Sequence, residues 1–317
     1  MQADRARSDA IDSLIYTFPV SGVQTALWLP PLVAFVISFF TSMVGISGAF
    51  LLLPFQMSVL HYTAPSVSAT NMVFNLVAIP GGVYRYLREG RVLWSLTAAI
   101  ALGTLPGIAI GYVVRVRYLP DPVAFKLFVG GVLLYIAYRV FADLMSWRRV
   151  RAGVSNGSPA RSAGPAMAMK TLAVSPARVC FRYQDQSFSF SVPAMVLLAF
   201  VVGIIGGIYG IGGGAIIAPF CITLFGLPVY TVAGAALAAT LLTSVFGVLF
   251  YSVLPAPAGL STQPDWALGV LFGLGGLAGM YLGARAQKYI PQSALKLMLG
   301  VFMLLIAGRY IAAFFVS

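Results

Sequence analysis

Eight apolar stretches of this chain approach or reach the roughly 20 helical residues that cross a hydrocarbon core: 26–44, 67–84, 92–114, 124–142, 193–209, 229–251, 266–284 and 295–315. Two shorter ones, 49–60 and 215–225, begin at glycine clusters. They read as half-helices or re-entrant segments, which a bilayer tolerates only where protein or a polar cavity covers the exposed backbone. The pattern predicts an all-α, polytopic membrane protein.

The short stretches also mark a duplication. Gly45-Ile46-Ser47-Gly48-Ala49, followed by Leu51-Leu52-Leu53-Pro54-Phe55, returns as Gly210-Ile211-Gly212-Gly213-Gly214, followed by Ile216-Ile217-Ala218-Pro219-Phe220, at an offset of 165 (210 − 45). The same offset pairs Val67, Gly82 and Tyr86 with Val232, Gly247 and Tyr251. Past a longer connection the offset becomes 172 (266 − 94) and pairs Trp94, Gly103, Gly107 and Gly111 with Trp266, Gly275, Gly279 and Gly283. The last helices align at 170 (296 − 126), with Lys126, Gly130 and Arg139 matching Lys296, Gly300 and Arg309. A glycine every fourth residue is a face for close helix packing.

The chain therefore divides into a polar tail (1–25), a first repeat (26–142), a basic linker (143–192) and a second repeat (193–317). Each repeat holds four to five helical segments. The end of the linker, 179–192, alternates and reads as a short hairpin.

Charge then orients the repeats, because cytoplasmic loops accumulate Lys and Arg. Arg85, Arg88 and Arg91 flank one loop, seven basic residues from Arg148 to Arg182 fill the linker, and Arg285, Lys288 and Lys296 flank the last loop. The counterpart of the first loop, 252–265, has no Lys or Arg, so equivalent loops face opposite sides. This favours an inverted repeat with both termini outside over a parallel repeat, which would put Arg285, Lys288 and Lys296 outside, although inversion leaves Arg115 and Arg117 on the outer side.

Composition narrows the class. The chain is 60% hydrophobic and 9% charged, against about 25% charged in soluble domains. Its net charge of +12 flanks membrane spans, which does not indicate nucleic acid. All eight acidic residues lie outside or at the edges of the spans, so the intramembrane carboxylate relay of many proton-driven pumps is not expected. No phosphate-binding loop, nucleophile elbow or metal-binding cluster is present in the sequence. An enzyme, a cofactor and a metal site are not expected, and no signal peptide is read.

Helices that start inside a membrane present unpaired N–H groups and the positive end of a helix dipole, which suits an anion without any basic side chain. Gly45, Ser47, Gly48, Gly210, Gly212, Gly213 and Gly214 are the candidates for such backbone contacts. Asn71 and Asn75, and Thr240 and Ser244, each four residues apart on one helix face, are candidate side-chain donors. Thr70, Ser68 and Thr243 are weaker candidates. Packing and interhelical hydrogen bonding are the competing roles for all of them. Cys221, equivalent to Gln56, reads as a small buried hydrophobe, and His61 as an interfacial residue. Arg139 and Arg309 read as snorkelling cations.

The run Met43-Val44-Gly45-Ile46-Ser47-Gly48-Ala49…Pro54, with its return at Tyr209-Gly210-Ile211-Gly212-Gly213-Gly214…Pro219, resembles the TauE/SafE sulfite exporter family. The resemblance covers both repeats. It implies a multi-pass carrier in a bacterial inner membrane for small sulfur-containing oxyanions such as sulfite, thiosulfate or sulfonates, with the anion and the lipid bilayer as partners. The first copy departs from it at Ser47 and Ala49, where the second has glycines. An anion channel, or a membrane scaffold acting through the basic linker, are the alternative readings.

Overall fold

A computed structural model describes residues 15–43, 46–153, 170–183, 186–286 and 292–316. A two-stranded hairpin, β1 (Ile15–Thr17) and β2 (Gln24–Ala26), precedes the first repeat's helices, α1 (Leu29–Ser42), α2 (Ala49–Ser58), α3 (Ser66–Arg88), α4 (Trp94–Arg117) and α5 (Pro122–Gly153). A three-stranded antiparallel sheet follows, of β3 (Lys170–Val174), β4 (Arg178–Tyr183) and β5 (Gln186–Ser191). The second repeat carries α6 (Val192–Tyr209), α7 (Gly214–Phe225), α8 (Val229–Val253), α9 (Trp266–Ala286) and α10 (Gln292–Val316).

Seven of the described helices are long and apolar enough to cross a membrane, namely α3 to α6 and α8 to α10. The eighth expected span is corrected. α1 has 14 residues, about 21 Å at 1.5 Å per residue, short of a core of about 30 Å. Its expected start is taken by β2, where Ala26 pairs with Ile15, and Pro30 and Pro31 open the helix at its first turn. The strand pair read at 179–192 is present as β4 and β5, in register from Arg178–Ser191 to Tyr183–Gln186. The rest of the linker, 154–169, lies outside the described residues.

Glycines set how closely the helices approach. Gly103, Gly107 and Gly111 on α4 lie against the backbone at Val196, Phe200 and Ile204 on α6. On α9, Gly275, Gly279 and Gly283 lie against Pro31, Phe35 and Phe39 on α1. Each pair runs parallel, and the backbone positions they meet are again 165 apart (196 − 31). A Cβ at any of these six glycines would enter the neighbouring main chain, so the backbones pack at contact distance.

The helices that match each other pack antiparallel. Gly82 on α3 faces Leu237 on α8, while Gly247 on α8 faces Met72 on α3. Gly130 on α5 faces Tyr310 and Ile311 on α10, while Gly300 faces Val140 and Phe141. In the connection between α3 and α4, Glu89 accepts from Arg85 Nε at 2.8 Å and from Arg91 Nη1 at 2.6 Å. Partial burial pushes its carboxyl pKa up, but the hydrogen bonds and charges of Arg91 and Arg85 outweigh that and hold it below its ordinary value.

Candidate functional site

The second break is a reversal that only glycine accommodates cheaply. Gly210 caps α6 at φ +80° and Gly212 follows at φ +72°, the left-handed region that costs other residues about 1–2 kcal/mol. Space is also lacking: a Cβ on Gly210 would overlap the backbone of Ser68, one on Gly213 the side chain of Thr104, and one on Gly214 the Ala236 carbonyl and Thr240. The break is thus pressed between α3, α4 and α8. No side chain caps the N-terminus of α7.

The first break is organised by side chains. Ser47 Oγ donates to Asn75 Oδ1 at 2.7 Å and accepts the N–H of Ala49 at 3.3 Å. Gly48 caps α2, and a Cβ there would lie 2.8 Å from Ser38 Oγ. Gly45 lies outside the described residues.

Two asparagines on α3 join the breaks. Asn71 Nδ2 donates to Ala49 O at 2.9 Å and to Gly210 O at 3.1 Å. Asn75 Nδ2 donates to Ile211 O at 3.0 Å and to Ser244 Oγ at 3.3 Å. Their spacing of one helical turn aims both amides at the same gap, and each touches both half-helix entrances.

Thr240 takes a different position. Its Oγ1 donates to Ala236 O of its own helix at 2.8 Å, and its methyl group borders Gly212. Of the weaker candidates, Ser68 donates to Ile208 O, Thr243 to Thr240 O, and Thr70 joins Tyr62 and accepts the N–H of Asp265. Ser68 and Thr70 thus tie α3 to α6 and α9, whereas Thr243 bonds within its own helix. Asp265 is buried at the start of α9, where it accepts the hydroxyl and N–H of Ser21.

One participant escaped the sequence reading. Gln56 on α2 donates Nε2 to Asn71 Oδ1 at 3.3 Å, and its buried Oε1 has no partner. Its signal was a glutamine within the apolar run of α2, where Ser58 at the helix end is the other polar residue. Its counterpart Cys221 is buried with Sγ 3.7 Å from Met195 Sδ, in apolar packing.

Ser47, Gln56, Asn71, Asn75, Thr240 and Ser244 are all 0% exposed. The centre is closed, with the amides of Gln56, Asn71 and Asn75 and the hydroxyls of Ser47 and Thr240 donating to protein acceptors and Ser244 Oγ accepting from Asn75. Buried donors of this kind are worth about 1–3 kcal/mol each against being left unpaired, so the closed arrangement is stable until a ligand replaces the acceptors. A cavity of about 310 Å³ lies elsewhere, between α5, α6 and α7, lined by Phe128, Val132, Tyr135, Ile205, Ile216 and Phe220. Its wall is apolar and holds none of the candidate residues.

A family model described as Sulfite exporter TauE/SafE matches residues 31–310. That span takes in both breaks and every described helix, α1 and α10 being covered in part. No curated protein and no solved structure matches the chain.

Proposed function

The chain belongs to the sulfite exporter TauE/SafE family, and from that premise we propose a secondary transporter that moves a small sulfur-containing oxyanion by alternating access around the two glycine breaks. Membership implies a membrane transporter of sulfur anions such as sulfite. What the family does not supply is the site, and one observation carries it. Asn71 and Asn75 each hydrogen-bond to both breaks at once.

In this reading the anion takes the place of the carbonyl and hydroxyl acceptors. It accepts from the amides of Asn71 and Asn75, the hydroxyls of Ser47 and Ser244, and the N–H groups at the start of α7, whose dipole favours negative charge. Gly45, Gly48, Gly210, Gly212, Gly213 and Gly214 let the backbone come within reach, and Thr240 shapes the wall beside Gly212. The complete burial of the centre favours a carrier over an open channel, since an ion reaches these donors only after the helices move.

The inverted repeat belongs to the same proposal. It is supported by the antiparallel packing of α3 on α8 and of α5 on α10, each with its own counterpart. Helices related by an axis along the membrane normal would run parallel instead. With the basic loops inside, as the positive-inside rule requires, the linker is cytoplasmic and both termini lie on the far face of a bacterial inner membrane.

The test is uptake of labelled sulfite, thiosulfate and sulfoacetate into proteoliposomes by the native chain and by Asn75→Asp. Saturable uptake of one anion, abolished by a carboxylate of the same shape, supports the site. Equal uptake by the variant overturns it. A chain lacking 154–169 keeps transporting under this reading, whereas a scaffold acting through its linker loses function.

A further inference from the structure

Away from the centre, a guanidinium is buried without a counter-charge. Arg115, in the last turn of α4, is 0% exposed. Its Nη2 donates to the Thr63 carbonyl at 3.1 Å, its Nη1 donates to the Leu119 carbonyl, and the guanidinium lies 3.6 Å from the centroid of the Phe125 ring. Its Nε–H meets no acceptor. Among the described residues the ion pairs are those of Glu89 with Arg85 and Arg91, and none reaches Arg115.

A buried cation costs several kcal/mol unless it is paired, and two carbonyls and a ring face compensate it only in part. The site is also connected to the centre. One turn earlier on α4, Tyr112 packs edge-on against Tyr251 with ring centroids 4.8 Å apart, and Tyr251 Oη donates to Gly207 O at 3.0 Å, just ahead of the Gly210 reversal.

We propose that Arg115 is a second oxyanion site, which captures the anion at the end of the bundle formed by the α2–α3 and α4–α5 connections before it moves to the centre. A guanidinium fork matches the oxygen pair of a sulfite or sulfonate group and binds it more strongly than it binds neutral carbonyls. An arriving anion takes the free Nε–H and displaces Thr63 O and Leu119 O. This releases the two connections that Arg115 ties together, so capture and opening are one event. The passage to the centre rests on the transporter reading, but the binding itself does not.

The experiment is equilibrium binding of labelled sulfite to the purified full chain in phospholipid-free detergent, for wild type, R115Q, R115K and G213L. R115Q is expected to weaken one class of sites about 10- to 100-fold, the loss of a charge-assisted pair, with R115K falling between it and wild type. R115Q or, should that variant not fold, R115K binding sulfite as wild type does overturns the proposal. If G213L binds normally while R115Q does not, the central site fails and Arg115 stands. If G213L alone loses binding, the reverse holds. Added phosphatidylglycerol that displaces the Arg115-dependent sulfite identifies a lipid headgroup as the occupant and overturns substrate capture.

Discussion

At the first break the side chains do the holding: Ser47 spans Asn75 and the N–H of Ala49, and Gly48 needs no unusual backbone angle. At the second break the main chain does it, with Gly210 and Gly212 both at positive φ and with Gly210 O and Ile211 O as the acceptors of the asparagine amides. Sequence symmetry thus conceals a division of labour. The first half contributes the adaptable polar groups on α2 and α3. The second contributes a rigid backbone turn with glycine at 212, where the first has Ser47 to take up the N–H of Ala49, which under the transporter reading makes it the better place for a ligand to meet N–H groups directly.

The comparison breaks most visibly at its rigid member. Gly213→Leu would drive a branched side chain into Thr104, and overpacking of this kind costs about 1–3 kcal/mol or more. The expected outcome is loss of anion uptake together with a lower melting temperature. Gly48→Ala on the other side crowds the rotatable Ser38 hydroxyl and otherwise meets Ile37 and Phe74 side chains at 3.4 Å, with no backbone in the way, and is expected to keep most uptake. Equal damage from both would show that the two breaks are held alike.

A swap of equivalent residues sharpens the point. Gly212→Ser gives the second break the residue of the first, at φ +72° and with Thr240 Cγ2 2.9 Å from the new Cβ. The left-handed conformation alone costs about 1–2 kcal/mol. Ser47→Gly, the reverse change, involves no such strain or clash and loses the bonds to Asn75 and from the N–H of Ala49, about 0.5–1.5 kcal/mol each at most. Thermal melting of the two variants side by side is the measurement, and Gly212→Ser is expected to fall further.

Asn75→Ala comes next, since it orphans Ser47, Ile211 O and Ser244 together. About 1–3 kcal/mol is expected for each group that finds no other partner. Uptake should show a higher KM, because the amide donor is missing from the site. A variant with native stability and native KM would remove Asn75 from both roles.

Much of this was legible in the sequence because it is periodic. Gly103, Gly107 and Gly111, and their matches at Gly275, Gly279 and Gly283, repeat every fourth residue, and the spacing alone says that two faces pack backbone to backbone. Both breaks were visible as glycine clusters ahead of short apolar runs. Ala26 to Trp28 misled, because apolar composition cannot distinguish the end of a strand from the start of a helix, and hairpin pairing with 15–17 decided it. The burial of Arg115 was hidden for a related reason: a cation near a helix end counts with the loop beside it, here as an outward-facing charge, and only tertiary packing under Thr63 and Phe125 removes it from water. Which acceptor each amide takes was not legible either, since Asn75 reaches Ser244 rather than its positional counterpart Thr240.

The finest test lies between Gln56 and Cys221, which occupy equivalent places on α2 and α7 and differ in chemistry. Gln56→Leu removes an orphaned buried carbonyl oxygen along with one 3.3 Å hydrogen bond to Asn71, so the two effects on stability offset and the melting temperature should barely move. Its effect should appear in transport, because Asn71 Oδ1 loses its donor, the amide is then held from its nitrogen side alone, and KM for the anion rises. Cys221→Val changes volume little in an apolar setting, a substitution that usually costs under about 1.5 kcal/mol, and KM should stay where it was. A rise in KM for Gln56→Leu with none for Cys221→Val places the polar half of the site on the first repeat. The same small change in both would mean that α2 and α7 contribute only their backbones, and the two breaks would then be functionally alike despite being built differently.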